Sequence, residues 1–184
     1  MPVIISLLRA VNVGGHNKIK MDVLRALYES LGLRRVQTYV QSGNVVFQAQ
    51  EQSLVRLQIK IEDAIEKKAG FRPTVVLRTI PEWKQAMAAN PFARKPGADT
   101  RRLLVMFLAG EPAKDAAKRF SELRTAGEEL KLAGRELHLY CPRGVGQVKF
   151  WTALDKILQT PGTGRNWNTV VKLLALAQGL ASTG

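Results

Sequence analysis

The sequence RRVQTYVQSGNVVFQ, residues 34–48, has the pattern of two β-strands joined by a tight turn. Val36, Thr38 and Val40 alternate with other side chains, which is the two-residue period of a sheet with one buried face. The Ser-Gly-Asn sequence at 42–44 tolerates the left-handed backbone that a tight reversal requires, and β-branched and aromatic residues follow it. These features predict a β-hairpin.

The elements on either side of the hairpin complete one α+β unit. Val3–Leu8 is a nearly continuous apolar run, typical of a central strand, and an amphipathic helix pattern follows it and stops at Gly32. After the hairpin, residues 52–68 have a single apolar stripe, and residues 73–79 have the composition of a fourth strand. The order strand, helix, two strands, helix, strand is that of the ferredoxin-like, split-βαβ fold.

The second half of the chain repeats this order incompletely. The predicted elements are a strand at 103–108, a helix at 113–125, strands at 129–133 and 136–141, and helices at 147–158 and 166–178. In place of a fourth strand, residues 160–164 have the Pro- and Gly-rich composition of a loop. We therefore predict an α+β fold with two ferredoxin-like subdomains at 1–89 and 102–184, joined by a connecting segment at 90–101.

The chain has a large excess of basic residues. Its 184 residues include 28 Lys and Arg but 15 Asp and Glu, which gives a formal net charge of +13. Such a balance favours anionic partners, either nucleic acid or a phosphorylated small molecule. The basic residues form no continuous run, however, so a merely solvated basic surface is the alternative.

The cysteine count and the hydropathy pattern predict a cytoplasmic protein with no membrane partner. Cys141 is the single cysteine, which excludes an internal disulfide and fits a reducing compartment. The first residues lack the basic segment of a signal peptide, and the uncharged runs are too short or too polar for a membrane span.

The predicted topology gathers two polar loops at one end of the first sheet. Strands one and three are antiparallel neighbours in the split-βαβ order, so the loop after strand one lies beside the hairpin turn. The candidate ligand-binding residues at this end are Asn12, Gly14, Gly15, Asn17, Lys18, Gln41, Ser42 and Asn44. Glycine amides, amide side chains and one ammonium group could together hold an anion. Two ordinary turns are the alternative interpretation.

A second polar segment precedes the last helix. Asn166 or Thr163 could cap this helix, and Arg165 and Asn168 could add positive charge and an amide to an anion site. The alternative is a capped amphipathic helix without a ligand. The loop at 143–147 also lies between a strand and a helix, but it lacks the third glycine of a dinucleotide fingerprint and the Gly-Lys-Ser/Thr of a Walker loop.

No cofactor and no metal site are predicted. His16 and His138 are the two histidines, and they have no cysteine partners at metal-ligand spacing. Cys141 has no cue for a lowered pKa and is predicted to be unreactive. The sequence also lacks a recognisable hydrolytic or redox motif, so whether the protein is an enzyme stays open.

Four segments resemble one known family. They are LLRAVNVGGHNKIKM at 7–21, TYVQSGNVVF at 38–47, NPF at 90–92, and RNWNTV at 165–170 followed by KLL at 172–174. They closely resemble the bacterial family called domain of unknown function 1697, nearly from end to end. The resemblance implies two α+β subdomains of ferredoxin-like character. It implies no activity, because the family is uncharacterised.

The leading hypothesis is a protein that binds an anionic ligand, nucleic acid or another phosphate-bearing molecule, through its Gly- and Asn-rich loops. A small enzyme that acts on a phosphorylated substrate through the same loops is one alternative. A protein-interaction module with a basic surface is another.

Overall fold

The computed structural model describes residues 1–182, which form eight β-strands and six α-helices in two compact units. The first unit comprises Met1–Trp83 with the described residues from Lys172 onward, and the second comprises Lys84–Val171. These units and the sequence-based division at 1–89, 90–101 and 102–184 assign residues 84–101 and 172–182 differently. No helix within residues 1–182 has the length and apolar character that a membrane span requires.

The first unit contains one four-stranded antiparallel sheet. Its elements are β1 (Val3–Leu8), α1 (Met21–Ser30), β2 (Arg34–Tyr39), β3 (Asn44–Gln48), α2 (Leu54–Ala69) and β4 (Val75–Thr79), and α3 (Ile80–Ala88) follows β4 directly. The strand order is β2-β3-β1-β4. The hairpin and the ferredoxin-like order predicted from the sequence are thus confirmed.

Strand β1 is the centre of this sheet. All six of its residues are buried, as the continuous apolar run predicts. It pairs antiparallel with β3 on one side, where Ser6 lies opposite Val45, and with β4 on the other, where Ser6 lies opposite Leu77. The predicted adjacency of strands one and three is therefore confirmed.

Helices α1 and α2 cover one face of the first sheet. Leu24 and Tyr28 of α1 and Leu57 of α2 are buried in the same apolar cluster as Phe47 of β3. The Tyr28 ring meets the Phe47 ring edge-on, with 5.3 Å between centroids, and its hydroxyl hydrogen-bonds to that of Ser6 at 2.9 Å. Phe47 has no exposed surface, so it belongs to the class of core side chains whose truncation costs about 3–5 kcal/mol.

The first half of the hairpin ends earlier than its sequence pattern predicts. The alternation of Val36 and Thr38 continues to Val40 in the sequence, but β2 ends at Tyr39. Val40 has a φ of 49° and is 48% exposed. The turn begins there because the chain must already reverse to bring Asn44 opposite Tyr39.

The second unit contains another four-stranded antiparallel sheet. Its elements are β5 (Leu103–Leu108), α4 (Ala116–Ser121), β6 (Glu129–Ala133), β7 (Glu136–Tyr140), α5 (Trp151–Leu158) and β8 (Gly162–Asn166), and α6 (Trp167–Ser182) begins directly after β8. The strand order is β6-β7-β5-β8, which is the order of the first sheet. The α+β fold with two ferredoxin-like units is confirmed.

The repeat is complete, whereas the sequence predicts an incomplete one. Strand β8 begins at Gly162, inside the segment at 160–164 that has the composition of a loop, and it pairs antiparallel with β5. Its two glycines lie against large side chains of β5: a Cβ atom at Gly162 would be 2.8 Å from Cγ of Met106, and one at Gly164 would be 3.2 Å from Cδ2 of Leu104. Packing requires glycine at these positions. Because glycine is rare in strands, rules based on strand propensity do not predict β8.

Two helices of the second unit are shorter than predicted. Helix α4 covers six residues of the predicted 113–125. Helix α5 begins at Trp151, because a 3₁₀ turn at Val145–Gln147 and an extended Val148 take up the start of the predicted 147–158. Leu154, Ile157 and Leu158 of α5 are buried against the second sheet, as their helical spacing predicts.

Candidate functional site

Asn12 organises the loop between β1 and α1. Its Nδ2 group donates to the backbone oxygen atoms of Ile19 and Gln41, both at 2.9 Å, and its Oδ1 atom accepts from the N–H of Ile19 at 2.9 Å. One side chain therefore closes the loop and ties it to the hairpin turn. The two loops meet as the topology predicts, but the amide group that joins them is occupied by the protein itself.

Between Asn12 and Lys18, the backbone of this loop is left-handed at four residues. Asn12, Gly14, Gly15 and Asn17 have φ values of 56°, 59°, 80° and 49°. Asparagine tolerates this region better than other non-glycine residues, which accounts for two of the four positions. Asn17 adds a second clasp, because its Nδ2 donates to the oxygen of Ala10 at 3.1 Å and its backbone oxygen accepts from the N–H of Asn12 at 3.2 Å.

The hairpin turn is likewise held by its own polar side chains. Asn44 is buried, and its Nδ2 donates to the oxygen of Tyr39 at 2.8 Å and to Oγ of Ser42 at 3.0 Å. The oxygen of Gly43 accepts from the N–H of Leu8 at 2.8 Å. A Cβ atom at Gly43 would lie 2.8 Å from that of Leu8, so this position requires glycine for close approach as well as for its φ of 74°.

Within residues 1–182, the groups left open at this end of the sheet include two backbone amides and one ammonium. Gly14, Gly15 and Lys18 are exposed, and nothing lies within 4 Å of the position where a Cβ atom of either glycine would stand. Within residues 1–182, the N–H groups of the two glycines and the ammonium of Lys18 make no hydrogen bond. Exposed Gln41 contributes its backbone oxygen to Asn12, and its side chain stays a predicted ligand.

The other two predicted site residues belong to the second unit. Arg165 lies in β8 and not at the start of the helix, and it is 7% exposed. Its Nη1 donates to Oγ1 of Thr163 at 2.7 Å and to the oxygen of Gly164 at 2.8 Å. Asn168 is exposed in the first turn of α6, where Asn166 provides the cap: Oδ1 of Asn166 accepts from the N–H of Thr169 at 2.8 Å. The parts of Arg165 and Asn168 in an anion site remain predictions.

His138 and Cys141 lie buried in the second unit. Burial lowers the pKa of His138 to about 4, and neither ring nitrogen has a hydrogen-bond partner within the described residues. Burial likewise raises the pKa of Cys141 to about 11, which keeps its thiol protonated at neutral pH. Among residues 1–182, no group of three His, Cys, Asp or Glu side chains could hold a metal ion.

Comparison with known proteins matches the chain to a family of unknown function and to a solved structure of the same fold. The family described as "Protein of unknown function (DUF1697)" matches residues 1–138. A solved structure of a conserved bacterial protein from Streptococcus pneumoniae matches with a TM-score of 0.74 at 24% identity, over 96% of this chain and 98% of that one. Comparison with curated proteins gave no match. The structural likeness supports the α+β fold over almost the full length.

Proposed function

Since this chain belongs to the DUF1697 family of proteins of unknown function, we propose a function from its own geometry. The protein binds a phosphate-bearing anion, either a small phosphorylated molecule or the backbone of a nucleic acid, through the loop at residues 12–18. The ligand oxygens accept from the N–H groups of Gly14 and Gly15, and Lys18 supplies the charge.

One observation carries this proposal: the loop uses its asparagines for its own structure and leaves its glycine amides unpaired within residues 1–182. Asn12 and Asn17 fix the backbone with their side chains, so the left-handed residues are set before any ligand arrives. Successive amides in such backbone form concave anion sites at many phosphate-binding loops. A rigid loop also loses little conformational entropy when it binds, which favours affinity.

The surrounding charge supports an anionic ligand. Lys20 is exposed two residues beyond Lys18, and the loop from Val11 to Lys20 contains no acidic residue. The formal net charge of +13 adds a long-range attraction that raises the local concentration of anions. An anion at the loop would therefore meet donors that have no partner among residues 1–182, with no competing carboxylate from the loop itself.

The test is an amide-resolved NMR titration of the full chain at low salt. The two probes are inorganic phosphate and a short single-stranded DNA of mixed sequence. We expect the Gly14 and Gly15 amides to shift with a saturable dependence on one of the probes. The variant Lys18→Ala should weaken this binding at least several-fold, roughly 1 kcal/mol or more for a lost charge-assisted contact, and should leave the melting temperature almost unchanged.

A matched control is Lys67→Ala, which removes an exposed lysine from the last turn of α2 in the same unit. It should leave the Gly14 and Gly15 titration unchanged. The salt dependence then separates the two ligand classes, because DNA bound through several phosphates loses affinity steeply between low and moderate salt. If neither probe shifts the two glycine amides, or if Lys18→Ala destabilises the protein with binding intact, the loop is a structural turn.

A further inference from the structure

The second unit contains a cleft that is basic on most of its sides. Its volume is about 270 Å³, and its lining includes Arg124, Glu128, Arg143, Lys149 and Phe150. Three cationic side chains and one carboxylate give this cleft a formal charge of +2. None of these residues belongs to the loop of the proposed function, so the cleft is a separate feature of the molecule.

A tight turn after β7 positions Arg143. The N–H of Gly144 donates to the oxygen of Cys141 at 2.8 Å, which closes a four-residue turn with Pro142 as its second residue. Proline favours this position because its ring fixes φ near the value that the turn needs. The 3₁₀ turn at Val145–Gln147 follows and delivers Lys149 to the same cleft.

The opposite wall comes from the segment after α4. Gly127 has a φ of 105°, and a Cβ atom at that position would lie 3.5 Å from Cγ of Pro142, so this segment packs closely on the turn that carries Arg143. The carboxylate of Glu128 accepts from the N–H of Ala126 at 2.6 Å, which holds Arg124 and its neighbours beside the cleft. This backbone hydrogen bond also lowers the pKa of Glu128, so the carboxylate is ionised at neutral pH.

The carboxylate of Glu128 forms an ion pair with only one of the three cationic side chains. Its Oε1 lies 3.6 Å from Nη2 of Arg143, and the side chain of Glu128 is 3% exposed. Within residues 1–182, the side chains of Arg124 and Lys149 make no hydrogen bond or ion pair, and both residues are exposed at the cleft. Like charges that line one cleft repel each other, and a bound anion would relieve that repulsion.

We propose that this cleft binds a small phosphate-bearing solute, with Arg124, Arg143 and Lys149 contacting its oxygen atoms. Arginine presents a planar fork of donors that matches phosphate oxygens, and lysine adds a mobile point charge. Phe150 supplies an apolar wall for an organic part of the ligand. A volume of about 270 Å³ lies just below the range of sites for drug-sized ligands, which indicates a compact molecule.

The proposal is tested by calorimetric titration of the full chain with inorganic pyrophosphate at low ionic strength, together with NMR of the amides that line the cleft. We expect saturable binding with shifts at Ala126 and Gly144. The double variant Arg143→Met and Lys149→Met should weaken it at least ten-fold. The variant Lys18→Ala should leave the shifts at Ala126 and Gly144 unchanged, which separates this site from the loop of the first unit.

The matched control is the double variant Lys114→Met and Lys118→Met, which removes the same charge from exposed positions of the second unit outside the cleft. The affinity of this control for pyrophosphate at the cleft should stay within two-fold of that of the unmodified chain. If the double variant fails to fold, Lys149→Met alone tests the proposal, because the side chain of Lys149 makes no hydrogen bond or ion pair within residues 1–182. We expect this variant to weaken pyrophosphate binding at least three-fold. Absent binding at millimolar pyrophosphate, an unaffected Lys149→Met, or an equal loss in the control would each overturn the proposal.

Discussion

Replacing Asn12 by Ala should destabilise the first unit and leave its charge unchanged. The change removes three hydrogen bonds of 2.9 Å and places a residue with a Cβ but no amide at a φ of 56°. A typical intramolecular hydrogen bond contributes about 1 kcal/mol net, and a non-glycine left-handed residue adds roughly 1 kcal/mol of strain. Because part of the site is exposed to water, we expect a total loss of about 2–4 kcal/mol.

Asn12→Asp is the sharper variant for the same position. It keeps an oxygen that can accept from the N–H of Ile19. Its second oxygen, however, replaces the amide group that donates to the carbonyls of Ile19 and Gln41. Two acceptors would then face each other, so the loss should equal or exceed that of Asn12→Ala. Asn17→Ala removes one side-chain hydrogen bond of 3.1 Å at a residue whose φ is 49°, so its effect should be smaller, about 1–2 kcal/mol.

Urea denaturation followed by circular dichroism gives the free energy of unfolding of each variant. Hydrogen exchange of peptides from β1 and β3 then assigns the loss to the first unit, since the N–H of Leu8 is bonded to the hairpin turn at Gly43. If Asn12→Ala changes the free energy by less than 0.5 kcal/mol while Lys18→Ala changes it by more than 1 kcal/mol, on the order of one hydrogen bond, the assignment of structural and ligand-facing roles in this loop is wrong.

Two further predictions concern the second unit. The neutral form of His138 is favoured in the folded protein, where its pKa is about 4, whereas the unfolded chain takes up the proton near pH 6.5. Stability should therefore fall by about 3 kcal/mol as the pH falls from 7 to 4, and urea denaturation of His138→Leu should show a smaller fall over the same range. Gly162→Ala should cost about 1–3 kcal/mol, since the added methyl would overlap Met106 and Leu108. The control in thermal unfolding is Gly146→Ala in the same unit, where nothing lies within 4 Å of the added atom.

The first unit could be predicted from the sequence because its local and global signals agree. Val3–Leu8 is apolar throughout, which matches a central strand buried on both faces, and its predicted bounds are those of β1. Helix α2 has the predicted apolar stripe and covers Leu54–Ala69, within two residues of the predicted 52–68 at each end, with Ser53 as its N-cap and Gly70 as its C-cap. Where propensity, periodicity and turn chemistry indicate the same element, its position follows from the sequence.

The fourth strand of the second unit could not be predicted, because its residues were selected by a neighbour and not by strand propensity. The segment around Gly162 and Gly164 has few β-branched residues, which is typical of a loop. Met106 and Leu104 fill the space that side chains on β8 would occupy. That relation joins residues more than fifty positions apart, so no local window of the sequence contains it.

In the candidate site, the sequence predicts which residues lie close together but not which hydrogen bonds their side chains make. Topology places Asn12 and the hairpin turn together, and from that point the sequence allows two outcomes: the amide binds a ligand, or it binds the backbone. The decision depends on whether carbonyl groups lie within about 3 Å of the amide, and the oxygens of Ile19 and Gln41 do. Glycine and lysine have no side-chain amide that backbone carbonyl groups could bind. The search for a ligand should therefore start from Gly14, Gly15 and Lys18, whose donors the fold leaves unused within the described residues.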